Sequence, residues 1–263
     1  MKYLTVVKKH IPNAITLLNL FCGCAAIILI LDRQFMSAFW FLFAAGWFDF
    51  ADGLVARWLN VSSEHGKELD SLADMVSFGA VPGIIYYTLL FIHFDIAPAA
   101  APASESLGTP ITWSWYAAPG LLVAMFSALR LAKFNLDTRQ TENFIGVATP
   151  TSTVFAVGIM LWATQQGGEV DPVIPVSWAY SPLVLYPAIL AFSYLLISEH
   201  PMFSFKIKSG GWVGNRRRII FAALAVLLLI GLGWSAFPFI VGVYLLINLV
   251  SPPVAEVAQP TAP

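Results

Sequence analysis

The chain has 263 residues, of which 58% are apolar and only 11% charged, against about 25% charged in an average soluble domain. Fourteen basic and fifteen acidic side chains cannot cover the surface of a soluble protein of this size, and the mean hydropathy is +0.75. These figures exclude an ordinary cytosolic enzyme, a disordered regulator and a nucleic-acid-binding module.

A bilayer core needs roughly 20 mostly apolar residues per helix. Taken in order, the tracts 11–31, 35–59, 70–94, 113–133, 146–164 and 180–198 each meet that length. The first follows MKYLTVVKKHIP without a small-residue cleavage site, so it reads as a retained span rather than a removed signal. The last apolar tract, 219–250, is long for one helix. Gly231, Gly233 and Pro238 near its middle predict two short helices and a turn. The expectation is an all-α polytopic membrane bundle of eight transmembrane helices, with seven as the alternative. Its divisions are 1–198 (six spans), a basic loop 199–218, a helical hairpin 219–250 and a disordered Pro/Ala-rich tail 251–263.

Basic residues test this order. With the N-terminus in the cytoplasm, Lys2, Lys8, Lys9, Arg57, Lys67, Arg130, Lys133, Arg139, Lys206, Lys208 and Arg216–Arg218 all fall on that side, and only Arg33 falls opposite. The expected external loops, 95–105 and 169–171, contain no Lys or Arg. That is a positive-inside bias, and it places both termini in the cytoplasm. The triple arginine is expected to anchor at anionic headgroups. Trp113, Trp115, Trp178 and Trp234 fall near span ends, as an interfacial aromatic belt would. Trp47, close to Asp49, is a candidate for shaping a site. Cys22 and Cys24 form no disulfide framework or zinc pattern, and the four histidines are scattered.

Four aspartates break the apolar pattern of the second and third spans. Asp49 and Asp52 are spaced i,i+3 and Asp70 and Asp74 i,i+4, so each pair shares one helical face. A short connection makes the two helices antiparallel, and their faces can converge. Ionised groups within a span are costly unless paired, wet or bound to a cation. Only Arg57 and Lys67 are near in sequence. Carboxylates without histidine or thiolate favour Mg²⁺ or Mn²⁺, and four of them suit one ion or two. Gly53, Ala56 and Gly66 remove side-chain bulk beside the acids, leaving room for backbone or phosphate. Arg57 offers a planar fork of donors to a phosphate. A lipid phosphate or diphosphate entering sideways fits such a site. A cation in transit through a transporter fits it too, although spans five to eight place no acidic residue in their middles.

The run Asp49-x2-Asp52-Gly53-x2-Ala56-Arg57-x8-Gly66-x3-Asp70-x3-Asp74 resembles the signature of the CDP-alcohol phosphatidyltransferase family in all eight fixed positions. Ile11-Pro12-Asn13-Ala14-Ile15-Thr16, with Asn19 and Gly23, is similar to the family's first helix. Leu129-Arg130-Leu131-Ala132-Lys133-Phe134-Asn135 resembles the LRLARFN segment of its membrane-integral phosphatidylserine synthases, with Lys133 in place of an Arg. Residues 144–150 resemble their FxGLPxP segment, departing at Val147 and Ala148.

The resemblance implies transfer of a phosphatidyl group from CDP-diacylglycerol to the hydroxyl of L-serine, with CMP leaving. Transfer to another acceptor, such as glycerol 3-phosphate or an inositol phosphate, is the alternative. It implies dependence on Mg²⁺ or Mn²⁺, with two ions held by Asp49, Asp52, Asp70 and Asp74. It implies Asp74 as general base, and Asn13, Thr16, Asp52, Gly53, Ala56, Arg57 and Gly66 around the nucleotide and diphosphate. Arg130, Lys133 and Asn135 are candidates for the serine end. The implied setting is the cytoplasmic membrane of a bacterium, with the active site on the cytoplasmic side, lipids as neighbours and a homodimer as the expected assembly.

Overall fold

A computed structural model describes residues 2–61, 63–96, 110–136, 144–165, 178–203 and 211–250. Among these described residues the fold is all-α apart from one minimal ribbon. Helix α1 spans Lys2–Leu31, α2 Phe35–Trp58 and α3 Glu64–Phe94. Next come α4 (Leu122–Leu136), α5 (Thr149–Gln165), α6 (Pro182–Ile197), α7 (Gly211–Leu232) and α8 (Phe237–Val250). The stretches His10–Leu31, Phe35–Trp58, Glu64–Phe94 and Asn215–Val250 are long and apolar enough to cross a membrane. The protein is therefore a multi-pass, membrane-embedded helical protein.

The remaining helices are shorter than the apolar tracts they overlap. α4 has 15 residues, α5 17 and α6 16, each below the roughly 20 that a straight span needs. For α4 the reason is local. Residues 110–117 are irregular, and Pro119, which lacks a donor, sits in a 3₁₀ turn, Ala118–Leu121, that precedes the helix. The structure thus supports four long spanning stretches rather than eight evident ones.

Helix α3 is the axis of the bundle. Of its most apolar 18-residue window, 72% is buried, against 33% for α1 and 28% for α2. Ile85, Tyr86, Leu89 and Leu90 are wholly enclosed there, with Ile159 and Met160 of α5 and Leu185 and Ile189 of α6 in the same core. Glycines set the close approaches: a Cβ at Gly120 would collide with the backbone of Tyr86 and Tyr87, and one at Gly23 would overlap Ser77 Oγ.

The connection from α2 to α3 is short, and local hydrogen bonds define both of its ends. Asn60 takes φ +50, and the Val61 amide donates to Ala56 O at 3.0 Å, closing the C-terminus of α2. Ser63 then caps α3, its hydroxyl accepting from the Gly66 amide at 3.0 Å. Helix α3 therefore begins six residues before Asp70, and Gly66, expected in the turn, lies in the first helical turn. Directly after Asp74 the helix widens into a π turn, Met75–Ala80. Such turns frequently mark functional sites.

At the far end of α4, β1 (Phe144–Ile145) pairs antiparallel with β2 (Pro201–Met202). Gly146 follows at φ +73, where a Cβ would press on the Ser198 carbonyl. The chain reverses at Gly233 (φ +57) and the 3₁₀ turn Gly233–Ala236. Phe221 of α7 and Tyr244 of α8 then meet at 5.9 Å between ring centroids, so these helices lie side by side. Asn248 Oδ1 accepts from the Phe203 amide at 2.8 Å, tying α8 to the end of the ribbon. Trp234, expected in an interfacial belt, packs on Phe39 at 5.1 Å. Cys22 is buried, Cys24 is exposed, and both are free.

The expected external loops at 95–105 and 169–171 fall largely or wholly outside the described residues, as does the tail 251–263. The side chains of Lys2, Lys8, Lys9, Arg139, Lys206 and Lys208 also lie outside them.

Candidate active site

Three helices converge at one end of the bundle. α1 contributes Pro12, Asn13, Thr16 and Asn19, α2 contributes Asp49, Asp52, Gly53 and Ala56, and α3 contributes Gly66, Lys67, Asp70 and Asp74. The periodicity of α2 and α3 turns each aspartate pair toward the other helix. Carboxylate oxygens of Asp49, Asp70 and Asp74 all lie within 4.8 Å of one another.

Among the described residues, no lysine or arginine forms an ion pair with these acids; Lys133 Nζ instead pairs with Glu199 Oε1 at 3.0 Å. Asp70 Oδ1 is buried without a hydrogen-bond partner. Clustered, part-buried carboxylates, one with a buried oxygen that has no hydrogen-bond partner, form an all-oxygen donor set. That set suits a hard divalent ion.

Asp52 stands slightly apart. It is buried, and Thr16 Oγ1 donates to its Oδ2 at 2.5 Å. Its carboxylate faces a cavity of about 170 Å³ walled by Pro12, Asn13, Thr16, Gly53, Ala56, Val61, Ser63, Gly66, Lys67 and Asp70. A Cβ at Gly53 would meet nothing within 4 Å, so any side chain there would project into this space. At Gly66 a Cβ would press on Ser63 Oγ and Asn13 Oδ1, at 3.1 and 3.3 Å. Glycine at these two positions keeps the cavity open and lets α1 and α3 close around it. Six of the seven residues expected around the nucleotide and diphosphate line this cavity. The seventh, Arg57, is exposed at the end of α2, one turn past Gly53 and outside the wall.

The structure adds residues that spacing alone did not assign. Ser63, Lys67, Pro12 and Val61 complete the cavity wall. Asn19 is fully buried, and its Nδ2 reaches Asp74 Oδ1 at 3.4 Å. Ser77 donates to the Asn19 carbonyl at 3.2 Å, fixing α1 against α3 one turn beyond Asp74. The available signal for Asn19 was its position one turn after Thr16 on the same face of α1.

The three residues expected at the acceptor end divide. Arg130 is 8% exposed, its Nε has no hydrogen-bond partner, and its guanidinium lies 5.6 Å over the Phe134 ring. Lys133 shares a narrow crevice with Arg130, Phe134, Ile145 and residues 196–198. Asn135 instead exchanges hydrogen bonds with Ser71 at 2.9 and 3.2 Å, clasping α4 to α3 beside Asp70.

A family model described as CDP-alcohol phosphatidyltransferase matches residues 9–189. The chain is 32% identical over 215 residues to the CDP-diacylglycerol–serine O-phosphatidyltransferase of Bacillus subtilis (strain 168), covering 78% of this chain and 99% of that relative. It is 34% identical over 148 residues to the Helicobacter pylori (strain J99 / ATCC 700824) protein of that description, covering 56% of this chain and 55% of the relative. A Mycobacterium leprae (strain TN) protein of the same description is 31% identical over 199 residues, 73% of this chain and 57% of the relative.

Proposed function

The chain belongs to the CDP-alcohol phosphatidyltransferase family, and on that premise we propose that it transfers the phosphatidyl group of CDP-diacylglycerol to the hydroxyl of L-serine, releasing CMP. The observation that carries this reading is the convergence of Asp49, Asp70 and Asp74 within 4.8 Å beside a cavity that Gly53 and Gly66 hold open. The relatives' shared description supports serine as acceptor.

In this reading Asp49, Asp70 and Asp74 would hold a divalent cation, with Asp52 completing the set for two ions, Mg²⁺ or Mn²⁺. Such an ion would stabilise negative charge on the diphosphate oxygens and so favour departure of CMP. The residues of the chain do the rest. Asn13, Thr16, Asp52, Gly53, Ala56 and Gly66 enclose the nucleotide and diphosphate. Ser63 and Lys67 complete that wall, and Lys67 supplies positive charge. Arg57 reaches the phosphate from the open end of α2 with a charge-assisted fork.

Serine brings a weak nucleophile. Asp74 takes the proton from its hydroxyl as the oxygen attacks the lipid-linked phosphorus, and the bond to CMP breaks. Asn19, donating to Asp74, holds that carboxylate in place. Arg130 offers its unpartnered Nε to the serine carboxylate, with Lys133 beside it and Asn135 holding α4 to α3. Direct displacement needs no covalent intermediate.

The expected placement is cytoplasmic-side, at the membrane rim of an eight-span protein divided at 198, 218 and 250. The basic-residue distribution supports that orientation. An acceptor screen tests the function. Purified protein is incubated with CDP-diacylglycerol, Mn²⁺ and one of serine, glycerol 3-phosphate or an inositol phosphate, and CMP and the new lipid are measured. Release with serine alone is expected; release with a phosphorylated acceptor but not serine would overturn the assignment.

A further inference from the structure

A second hollow opens on the apolar side of the aspartate cluster. Its volume is about 360 Å³, within the span of roughly 300–1,000 Å³ common to small-molecule sites. Asp49 lies in its wall, with Gly46, Trp47 and Phe39 on the same helix and Val157 of α5 and Phe237 of α8 opposite. Asp49 therefore belongs to both the acid cluster and this groove, which makes the two continuous. Phe39 precedes Asp49 by ten residues, so the groove follows α2 for about 15 Å.

Phe39 and Phe237 close its far end, and Trp234 packs against both. Phe39 lies 5.1 Å from Trp234 and 6.3 Å from Phe237, and Trp234 lies 6.0 Å from Phe237. This wall is seated firmly: a Cβ added at Gly158 of α5 would overlap the Pro238 ring, so the start of α8 sits directly on α5. Trp234 and Phe237 lie beyond the family-matched residues 9–189. The stop is a contribution of the C-terminal helices of this chain, not of the family core.

We propose that one acyl chain of the lipid substrate occupies this groove, and that Phe237, with Trp234 packed against it, sets the chain length it accepts. The proposal rests on the reading that the substrate is CDP-diacylglycerol. A lipid whose phosphate sits at the aspartates must leave its chains within reach of Asp49, and this groove is the apolar continuation at that residue. It opens sideways from the bundle, where Trp47 and Phe50 are 63% and 57% exposed. A water-soluble occupant would find little to bond, since Thr153 Oγ1 already lies at 3.0 Å from both the Phe78 and Thr149 carbonyls. The bilayer is as apolar as the groove, so a chain moving between them gains little from leaving water. Discrimination comes from packing along α2 and from collision with the ring wall.

The test uses the full chain in mixed micelles with serine, Mn²⁺ and an equimolar series of CDP-diacylglycerols of increasing acyl length. Products are quantified together by mass spectrometry. Their ratio does not depend on how much enzyme is folded, so a poorly folding variant still reports. Two variants push in opposite directions. Phe237→Ala opens the far wall; Gly46→Leu fills the groove midway, where an added Cβ meets nothing within 4 Å. The wild-type distribution is expected to fall off above one chain length. Phe237→Ala should enrich longer products by about fivefold or more, and Gly46→Leu should deplete them by a similar factor. Two variants with the wild-type distribution would overturn the proposal and make the groove a seat for a bystander lipid. If serine yields no product while another acceptor does, the acceptor assignment fails, and the same ratio read with that acceptor still decides the groove.

Discussion

Replacing Asp49 by Asn separates the demands of folding from those of metal binding. Two unit charges no more than 4.8 Å apart repel by at least about 3.5 kcal/mol at an effective dielectric constant of about 20. Asp49→Asn removes two of the three repulsive pairs among Asp49, Asp70 and Asp74 while keeping the side chain's shape. Water and counter-ions reach the half-buried cluster from the cavity, so the realised gain should be about 1–3 kcal/mol. Metal-free, the variant should therefore be more stable than metal-free wild type. With Mn²⁺ the order reverses. A ligand at a hundred times its Kd adds about 2.7 kcal/mol to a protein that binds it only when folded, and the variant has lost one donor. The nine tryptophans allow thermal melts by intrinsic fluorescence in detergent, with EDTA or with Mn²⁺. If the EDTA-treated variant melts below wild type and Mn²⁺ raises both equally, the cluster is not a charge-frustrated cation site.

Asp74→Asn should abolish turnover while CDP-diacylglycerol binding, measured by equilibrium titration, stays near wild type; full activity in excess Mn²⁺ would remove Asp74 from the base role. Thr16→Val deletes the donor to buried Asp52, a charge-assisted bond worth about 1.5–3 kcal/mol, so kcat/KM for the lipid should fall about 10- to 150-fold. A loss of less than twofold would show that this bond does not organise the cavity. Lys133→Ala should raise the KM for serine more than that for the lipid, and steady-state kinetics with an unchanged serine KM would count against its place at the acceptor end.

The acid cluster was legible in the sequence because helical periodicity alone decides which aspartates share a face. Spacings of three and four brought Asp49, Asp70 and Asp74 together once the antiparallel pairing of α2 and α3 was granted. Asp52 shows the limit of that argument. It lies on the expected face, yet its partner is Thr16, 36 residues away on α1, and no local pattern encodes that pairing. Asn19 is similar: its amide meets Asp74 across 55 residues. Helix lengths were less legible, because hydropathy counts apolar residues whether or not the backbone is helical. The tract at 113–133 is apolar throughout its first part, but Pro119 delays α4 to Leu122. The start of α3 moved the other way, since Ser63 could cap a polar first turn that hydropathy ignores. The apolar groove had no sequence signal, because Phe39, Val157 and Phe237 come from three distant helices.

The most direct measurement is anomalous scattering from crystals grown with Mn²⁺. Density for manganese among the oxygens of Asp49, Asp70 and Asp74, at inner-sphere distances of about 2.0–2.2 Å, is the predicted result. Well-ordered manganese found only elsewhere, with those three carboxylates bonded to water and protein alone, would contradict it.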